Sequence, residues 1–159
     1  MNTATHRGLK SSLALRLWAL AMALMLSFGV SAQPVSSADA AIAAAQQWLA
    51  VADTDNAAAM WEQSTPDMKS AETQASWGSY ITTMRSTLGK TAGPRIWVGI
   101  EREIDHPKLP AGEFVGVLFI SPYSKTRAWE KVSLFKNGNQ WVPAGYRYGA
   151  IAATPPAAK

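Results

Sequence analysis

The residues of this 159-residue chain that could do chemistry are few and scattered. His106 is the only histidine beyond the first ten residues, and Glu101, Glu103 and Asp105 precede it at alternate positions. A histidine beside carboxylates can hold a cation or act as a general base, but both roles need partners, and the chain has no cysteine and no second histidine nearby. We therefore expect His106 to be a solvated loop residue and predict no metal site.

Asp53 and Asp55 form a second acidic pair. A calcium loop would require more oxygen ligands at fixed spacing and a glycine, which residues 53–60 do not supply. Helix-stop and N-cap roles explain both aspartates. We predict no catalytic residue and no cofactor from these positions.

Aromatic residues are the more unusual feature, since the chain has seven tryptophans. Such side chains can line a ligand pocket or a carbohydrate platform, or simply fill a core. Those on predicted helices are expected in the core, whereas Trp97 and Trp129 are expected together on one strand face, with ordinary packing against a helix or loop as the alternative. The candidate surface for a ligand or partner consists of Trp97, Trp129, Tyr146 and Arg147.

The N-terminal segment has the pattern of a secretory signal peptide. Three cations and no acids precede an apolar run, Leu17–Val30, that ends in small residues at Val30-Ser31-Ala32. The run is short for a membrane span, which needs about 20 residues. We predict cleavage after Ala32 and export to a bacterial periplasm or the medium, with an uncleaved N-terminal anchor as the alternative.

Removing this segment leaves 12 Lys and Arg against 11 Asp and Glu, a net charge of +1. A nucleic-acid partner is therefore not expected, because binding to phosphates needs a basic face. The absence of cysteine excludes disulfides, thiolate metal sites and a cysteine nucleophile. The remaining length suits one domain, residues 33–150, followed by an Ala- and Pro-rich tail at 151–159 that we expect to be disordered.

Helical patterns come first in this domain. We predict a helix from a cap at Ser36 or Ser37 to Ala52, and a short one over 56–63 capped by Asp55. Pro66 is placed to begin another turn, and a long helix follows from Thr73 to Leu88, ended by Gly89.

Strand patterns follow without intervening helices. We predict strands over 95–104, 113–123, 127–136 and 140–148, of which 113–123 is apolar on both faces and belongs inside the sheet. Asn137-Gly138 predicts a tight hairpin, and Pro143 predicts an edge position or a bulge in the last strand. This order predicts an α+β fold, with N-terminal helices packed on a four-stranded antiparallel meander.

Short segments run in order over nearly the whole predicted domain, from residues 44–49 through Trp77 and residues 110–114 to residues 138–142 and Tyr146. Together they resemble a family of uncharacterised secreted bacterial proteins, domain of unknown function 4019. The resemblance implies a curved, cone-shaped sheet around a long helix, as in cystatin or nuclear transport factor 2, and implies no activity. The family pattern has a glycine after the first helix where this chain has Thr54-Asp55.

Export, aromatic content and the lack of a catalytic constellation favour a non-enzymatic domain that binds a small molecule or an envelope protein through its sheet, with homodimer formation as one option. The alternatives are an acid–base enzyme of the cone fold without a metal, and a structural envelope protein. The enzyme would use groups such as Tyr80, Arg85, Tyr146 and Arg147, and would require a carboxylate buried in a pocket beside tyrosine or arginine.

Overall fold

Four helices come first in the computed structural model, which describes residues 37–152 of the chain. The helices are α1 (Ala38–Asp53), α2 (Ala57–Glu62), α3 (Pro66–Ala71) and α4 (Gln74–Leu88). In this described part, no helix has the length and apolarity to span a membrane. The predicted signal peptide lies outside the described residues, and so does the predicted tail beyond residue 152.

The helix caps follow local side-chain chemistry. The hydroxyls of Ser37, Thr65 and Thr73 each accept a hydrogen bond from a backbone N–H in the first turn of the helix that follows. The predicted cap at Asp55 is wrong, because Asn56 caps α2 through a bond from the Ala59 N–H. Asp55 instead adopts a positive φ of 58°. This is the conformation that glycine adopts most readily, which accounts for a glycine in the family pattern at this point.

Four strands follow and form one antiparallel sheet in the order β1-β2-β3-β4, which confirms the α+β fold and the meander. The sheet is open, with β1 and β4 at its edges. Its cone-like curvature stays a prediction. The strands are β1 (Ile96–Ile104), β2 (Glu113–Pro122), β3 (Arg127–Asn137) and β4 (Gln140–Ile151).

The helices pack on one face of the sheet, mainly against β2, β3 and β4. On β2 the residues facing the helices are fully buried and those facing away are half-buried, as predicted for an inner strand. Each fully buried large apolar side chain contributes roughly 1.5–3 kcal/mol. The largest apolar side chains of this core are Trp48, Leu49, Met60, Met84, Leu88, Phe119 and Leu134.

The edge strand β1 departs from the predicted alternation. Its register shifts between Trp97 and Gly99, so a bulge interrupts the period of two. The alternation would place Ile96 and Val98 together on one face of the strand, and both are largely exposed, at 58% and 49%. The bulge redirects the strand, and the helices pack mainly over the other three strands.

The other edge strand, β4, carries Pro143, and both predicted consequences are confirmed. β4 lies at the edge of the sheet, and its register against β3 shifts where Leu134 pairs with Pro143 and Ser133 with Gly145. The Pro143 carbonyl accepts a hydrogen bond of 2.8 Å from the Thr65 N–H. The turn between α2 and α3 therefore covers the outer edge of β4 at this point.

Candidate functional site

A buried carboxylate organises the first of two polar clusters between the helices and the sheet. Glu130 lies on the inner face of β3, in line with Ala128, Val132 and Leu134, and is 0% exposed. Arg95 Nε, 2.8 Å away, and the Ser121 hydroxyl donate to its Oε2. The hydroxyls of Tyr123 and Tyr146 donate to its Oε1 over 2.8 and 2.6 Å. Each carboxylate oxygen therefore accepts two hydrogen bonds.

Arg95 extends this cluster to the helices. Its Nη1 and Nη2 bind the two oxygens of Asp53 over 2.7 and 2.9 Å, in the bidentate geometry that guanidinium favours. Arg85 and Thr91 donate to the same carboxylate over 3.0 and 2.5 Å. Arg85 also donates to the Ala52 carbonyl at the end of α1. We refer to the connected residues as the Glu130 network: Asp53, Arg85, Thr91, Arg95, Ser121, Tyr123, Glu130 and Tyr146.

The pKa values of the network follow from burial and these bonds. Burial acts to raise the pKa of Asp53, but hydrogen bonds from Arg95, Thr91 and Arg85 outweigh it and lower the pKa to about 2. Burial, assisted by the charge of Glu130, raises the pKa of the Tyr123 hydroxyl to about 12. The same two causes raise the pKa of Tyr146 well above its usual value. Both tyrosines are therefore donors at neutral pH.

The carboxylate at the centre of the Glu130 network is satisfied, whereas the buried Nε of Arg85 lies 3.4 Å from an Asp55 oxygen and makes no hydrogen bond within the described residues. An ionised carboxylate has about four acceptor positions, and protein donors occupy four at Glu130. Glu130 also lines none of the three cavities described below. The residue types required for acid–base chemistry are thus present, a buried carboxylate beside tyrosine and arginine, but no position remains for a substrate atom.

The second cluster surrounds an open groove of about 520 Å³ at the edge of β4. The start of α4 and the end of α3 form one wall and the middle of β4 forms the other. Residues from both faces of β4 contribute, so the groove passes round this edge of the sheet. We refer to it as the aromatic groove; its lining consists of Met68, Ala71, Glu72, Ser76, Trp77, Tyr80, Ser133, Ala144, Gly145, Tyr146 and Arg147.

Ring contacts build the floor of the groove. Trp77 lies 5.6 Å from Tyr80 and 6.3 Å from Tyr146, between ring centroids, and Tyr80 lies 6.2 Å from Tyr146. These separations fall in the range of favourable aromatic pairs, about 4.5–7 Å. Trp77 and Tyr146 are buried, whereas Tyr80 is half-buried and presents its ring at the opening.

The helices cover the edge of β4 on both sides of the groove but not between. The Pro143 carbonyl is bound by the Thr65 N–H, and the Tyr80 ring packs against the Tyr148 ring with 5.4 Å between their centroids. Between these two contacts lie Ala144 and Gly145, whose small side chains leave the strand accessible. The groove is thus a stretch of the edge strand β4 that the helices do not cover.

One of the residues that line the groove, Trp77, contributes a buried polar group. The indole N–H of Trp77 is buried and makes no hydrogen bond within the described residues, although the residue is only 4% exposed. Burying an unsatisfied donor costs about 1–3 kcal/mol, so native proteins rarely leave one without a reason. In contrast, the indoles of Trp48, Trp61 and Trp97 each donate to a backbone carbonyl.

The structure separates the four predicted site residues into two places. Tyr146 and Arg147 line the aromatic groove. Trp97 pairs with Phe119 on β2, whereas Trp129 pairs with Ile120, and adjacent strand residues point to opposite faces. The bulge in β1 therefore places the two tryptophans on different faces of the sheet, where they are 47% and 37% exposed.

The other residues considered in the sequence have other places. Asp53 and Arg85 belong to the Glu130 network, and Tyr80 forms a wall of the groove. His106 accepts a bond from the Lys108 N–H in the loop after β1. Within residues 37–152, no group of three or more His, Cys, Asp or Glu is arranged to hold a metal ion.

Sequence reasoning did not single out Glu130. A signal was available, because Glu130 is the one charged residue on an otherwise apolar strand face that includes Ala128, Val132 and Leu134. A charge at a core position requires a buried partner. Its partner Arg95 lies 35 residues away in sequence, and only the folded sheet brings the two together.

Two smaller recesses also lie on the described part of the chain. One, of about 160 Å³, lies on the outer face of the sheet beside the ion pair between Lys131 and Glu101. The other, of about 280 Å³, lies between α1 and the start of β4 and includes Trp141, whose indole N–H is also buried without a partner in the described chain.

Comparison with known proteins gives one match. The model of a family described as a protein of unknown function, DUF4019, matches residues 44–146, which include β1 to β3, most of the helices and the aromatic groove up to Tyr146. No curated protein and no solved structure shows a significant match to the chain.

Proposed function

We propose that this chain, which belongs to the DUF4019 family of proteins of unknown function, is an exported, non-enzymatic domain that binds a small ligand in the aromatic groove. The observation that carries the proposal is the groove itself, about 520 Å³ with an aromatic floor, small residues at the strand and a buried indole donor without a partner. Ligand pockets typically enclose about 300–1,000 Å³ and combine apolar walls with a few polar groups.

Export is proposed from the N-terminal pattern of cations, a short apolar run and a small-residue cleavage site. The ligand would then be one that reaches the bacterial periplasm or the medium. An envelope protein that occupies the groove is a second partner class, and it would use the same edge of β4.

The acid–base enzyme is the weaker candidate. The only buried carboxylate among the described residues, Glu130, already accepts four hydrogen bonds and lines none of the three cavities described above. A general base must reach the proton that it removes, directly or through one water molecule. Glu130 could do so only after losing at least one of its present donors.

The test is native mass spectrometry on the protein recovered without denaturation from an exporting host, together with N-terminal sequencing. We expect a chain that begins at Gln33 and carries a defined small-molecule mass. Tyr80→Ala, which removes the exposed ring of the groove, should lose that mass, whereas Tyr80→Phe should retain it. A chain beginning at Met1 would contradict export. A bound mass that is unaffected by Tyr80→Ala would contradict the groove as its site.

A further inference from the structure

The rim of the aromatic groove carries one acid and one base that lack ion-pair partners within the described chain. Glu72 ends α3, and its carboxylate accepts a 2.8 Å hydrogen bond from the Ser76 hydroxyl but lies in no salt bridge. Arg147 on β4 is exposed and also lies in no salt bridge. Its cross-strand neighbour is another cation, Lys131, which pairs with Glu101.

Six of the eleven carboxylates in the described residues lie in a salt bridge, such as Asp53 with Arg95 and Glu113 with Arg102, and Glu72 is among the five that do not. Glu72 and Arg147 both line the groove, the acid at the C-terminal end of α3 and the base on the outer face of β4. A molecule bound in the groove therefore has one acid and one base in its lining.

The inner part of the groove floor offers carbon surface, because the Tyr146 hydroxyl is bound to Glu130. Tyr80, which is half-buried, packs its ring against that of Tyr148. The lining also includes the side chain of Met68 and the indole of Trp77, whose buried N–H has no partner among the described residues. Such a floor favours an apolar or aromatic body.

We infer that the ligand of the aromatic groove is a small zwitterion with an apolar or aromatic body, such as a dipeptide with a free amino and a free carboxyl terminus. This inference rests on the proposed function. Glu72 receives the ammonium group, and the planar guanidinium of Arg147 receives the carboxylate through two parallel hydrogen bonds. The apolar body lies against Tyr80 and Met68.

A neutral sugar suits the groove less well. Sugars bind by stacking on an open aromatic face, and the two innermost rings, Trp77 and Tyr146, are only 4% and 8% exposed. A sugar would also leave both rim charges without a counter-charge. The groove therefore favours a ligand whose charges are complementary to the walls.

The test pairs ligand charges with protein charges. The protein recovered from the exporting host is titrated with the dipeptide phenylalanyl-leucine, with its N-acetyl form and with its C-terminal amide. Maltose serves as a neutral sugar. Shifts of the resonances of groove residues are followed by NMR. Exposed ion pairs contribute about 0.2–1 kcal/mol, or up to about a fivefold change in affinity. N-acetylation should weaken binding to the native protein by about two- to fivefold but should not weaken it further in Glu72→Gln. In the same way, C-terminal amidation should weaken binding to the native protein but should not weaken it further in Arg147→Gln.

Glu62→Gln and Arg127→Gln are matched controls, since both positions are exposed and lie outside the groove lining. They should leave all four affinities unchanged. Equal binding of the free and blocked dipeptides in the groove would overturn the inference of a zwitterionic ligand but would leave the proposed function standing. Binding of maltose in place of the dipeptide would do the same. Groove resonances that respond to none of the probes would overturn the inference, and a protein that also carries no mass in native spectrometry would overturn the proposed function with it.

Discussion

The Glu130 network and the aromatic groove both collect polar and aromatic side chains between the helices and the sheet, but they differ in whether those groups already have partners. At Glu130, four protein donors occupy the carboxylate, which lines none of the three cavities described above. In the groove, an indole N–H, a carboxylate and a guanidinium have no protein counterpart among the described residues that would occupy them fully. The first region stabilises the fold, and the second is where we propose that a ligand binds.

Shifted pKa values and a buried charge therefore do not by themselves mark a functional site. Structural ion-pair networks shift pKa values as strongly as active sites do. The Glu130 network joins α1, α4 and the start of β1 to the centre of the sheet. Tyr146 takes part in both regions, since its hydroxyl binds Glu130 and its ring lines the groove.

The largest expected effect is on the network. Arg95→Met leaves Glu130 buried without its cation, and removal of one partner of a buried ion pair typically costs about 3–5 kcal/mol. We expect a loss of this size in the free energy of unfolding, measured by urea titration. The control is Arg102→Met, which removes an exposed partner of Glu113 and should move the midpoint little. Equal midpoints for the two variants would show that the network does not stabilise the fold.

Tyr146→Phe separates the two roles of one residue. It removes the hydroxyl from Glu130 and keeps the ring in the groove, so the free energy of unfolding should fall by about 1.5–3 kcal/mol while ligand affinity stays unchanged. Tyr123→Phe removes the other hydroxyl on the same carboxylate oxygen and lies outside the groove, so it should show a similar loss of stability. A large loss of affinity in Tyr146→Phe would mean that the two regions act together.

Acid should weaken the network through Asp53. Its folded pKa of about 2 lies below the ordinary value of 3.8, so it stabilises the fold above pH 3.8 and loses that contribution as the pH falls toward 2. Because the Asp53 side chain is 29% exposed, we expect only about 1–2 kcal/mol from this shift. In urea titrations between about pH 5 and about pH 2, the free energy of unfolding should decline more steeply in the native protein than in Asp53→Asn. Parallel curves would contradict the assignment.

The smallest effect is expected on the outer face of the sheet. Trp129 is exposed and lies over Gly149, where a Cβ would come within 2.5 Å of its indole nitrogen. Trp129→Thr should change stability by no more than about 0.5–1 kcal/mol and leave ligand uptake intact, because the residue is outside the groove. Light scattering coupled to gel filtration checks the homodimer option, and a dimer that dissociates in this variant would move attention from the groove to this face.

Much of the fold could be predicted because its signals are local. The caps at Ser37 and Thr73 follow from hydroxyls that reach a backbone N–H within the first helical turn. The predicted tight hairpin is confirmed, since Asn137 pairs with Gln140 across a two-residue turn in which Gly138 has a φ of 60°. Asn137 itself ends β3, so the turn residues are Gly138 and Asn139. The apolar run of β2 likewise predicted an inner strand, and the proline of β4 predicted an edge position or a bulge, each from local residues alone.

The sites could be predicted only in part, because they depend on distant residues. Tyr146 and Arg147 were chosen from the sequence and line the groove, but the helix residues opposite them, Glu72 and Tyr80, come from more than 60 positions earlier. The bulge in β1 also has no clear local signal, and it alone decides that Trp97 and Trp129 do not share a face.

The most direct test of the central claim is a heteronuclear NMR spectrum of the tryptophan indole groups during titration with phenylalanyl-leucine, assigned through single replacements such as Trp77→Phe. We expect the chemical shift of the Trp77 indole resonance to change on binding, and those of Trp97 and Trp129 to remain unchanged. A shift of Trp141 alone would place the ligand in the recess between α1 and β4. Shifts confined to Trp97 and Trp129 would contradict the groove as the functional site.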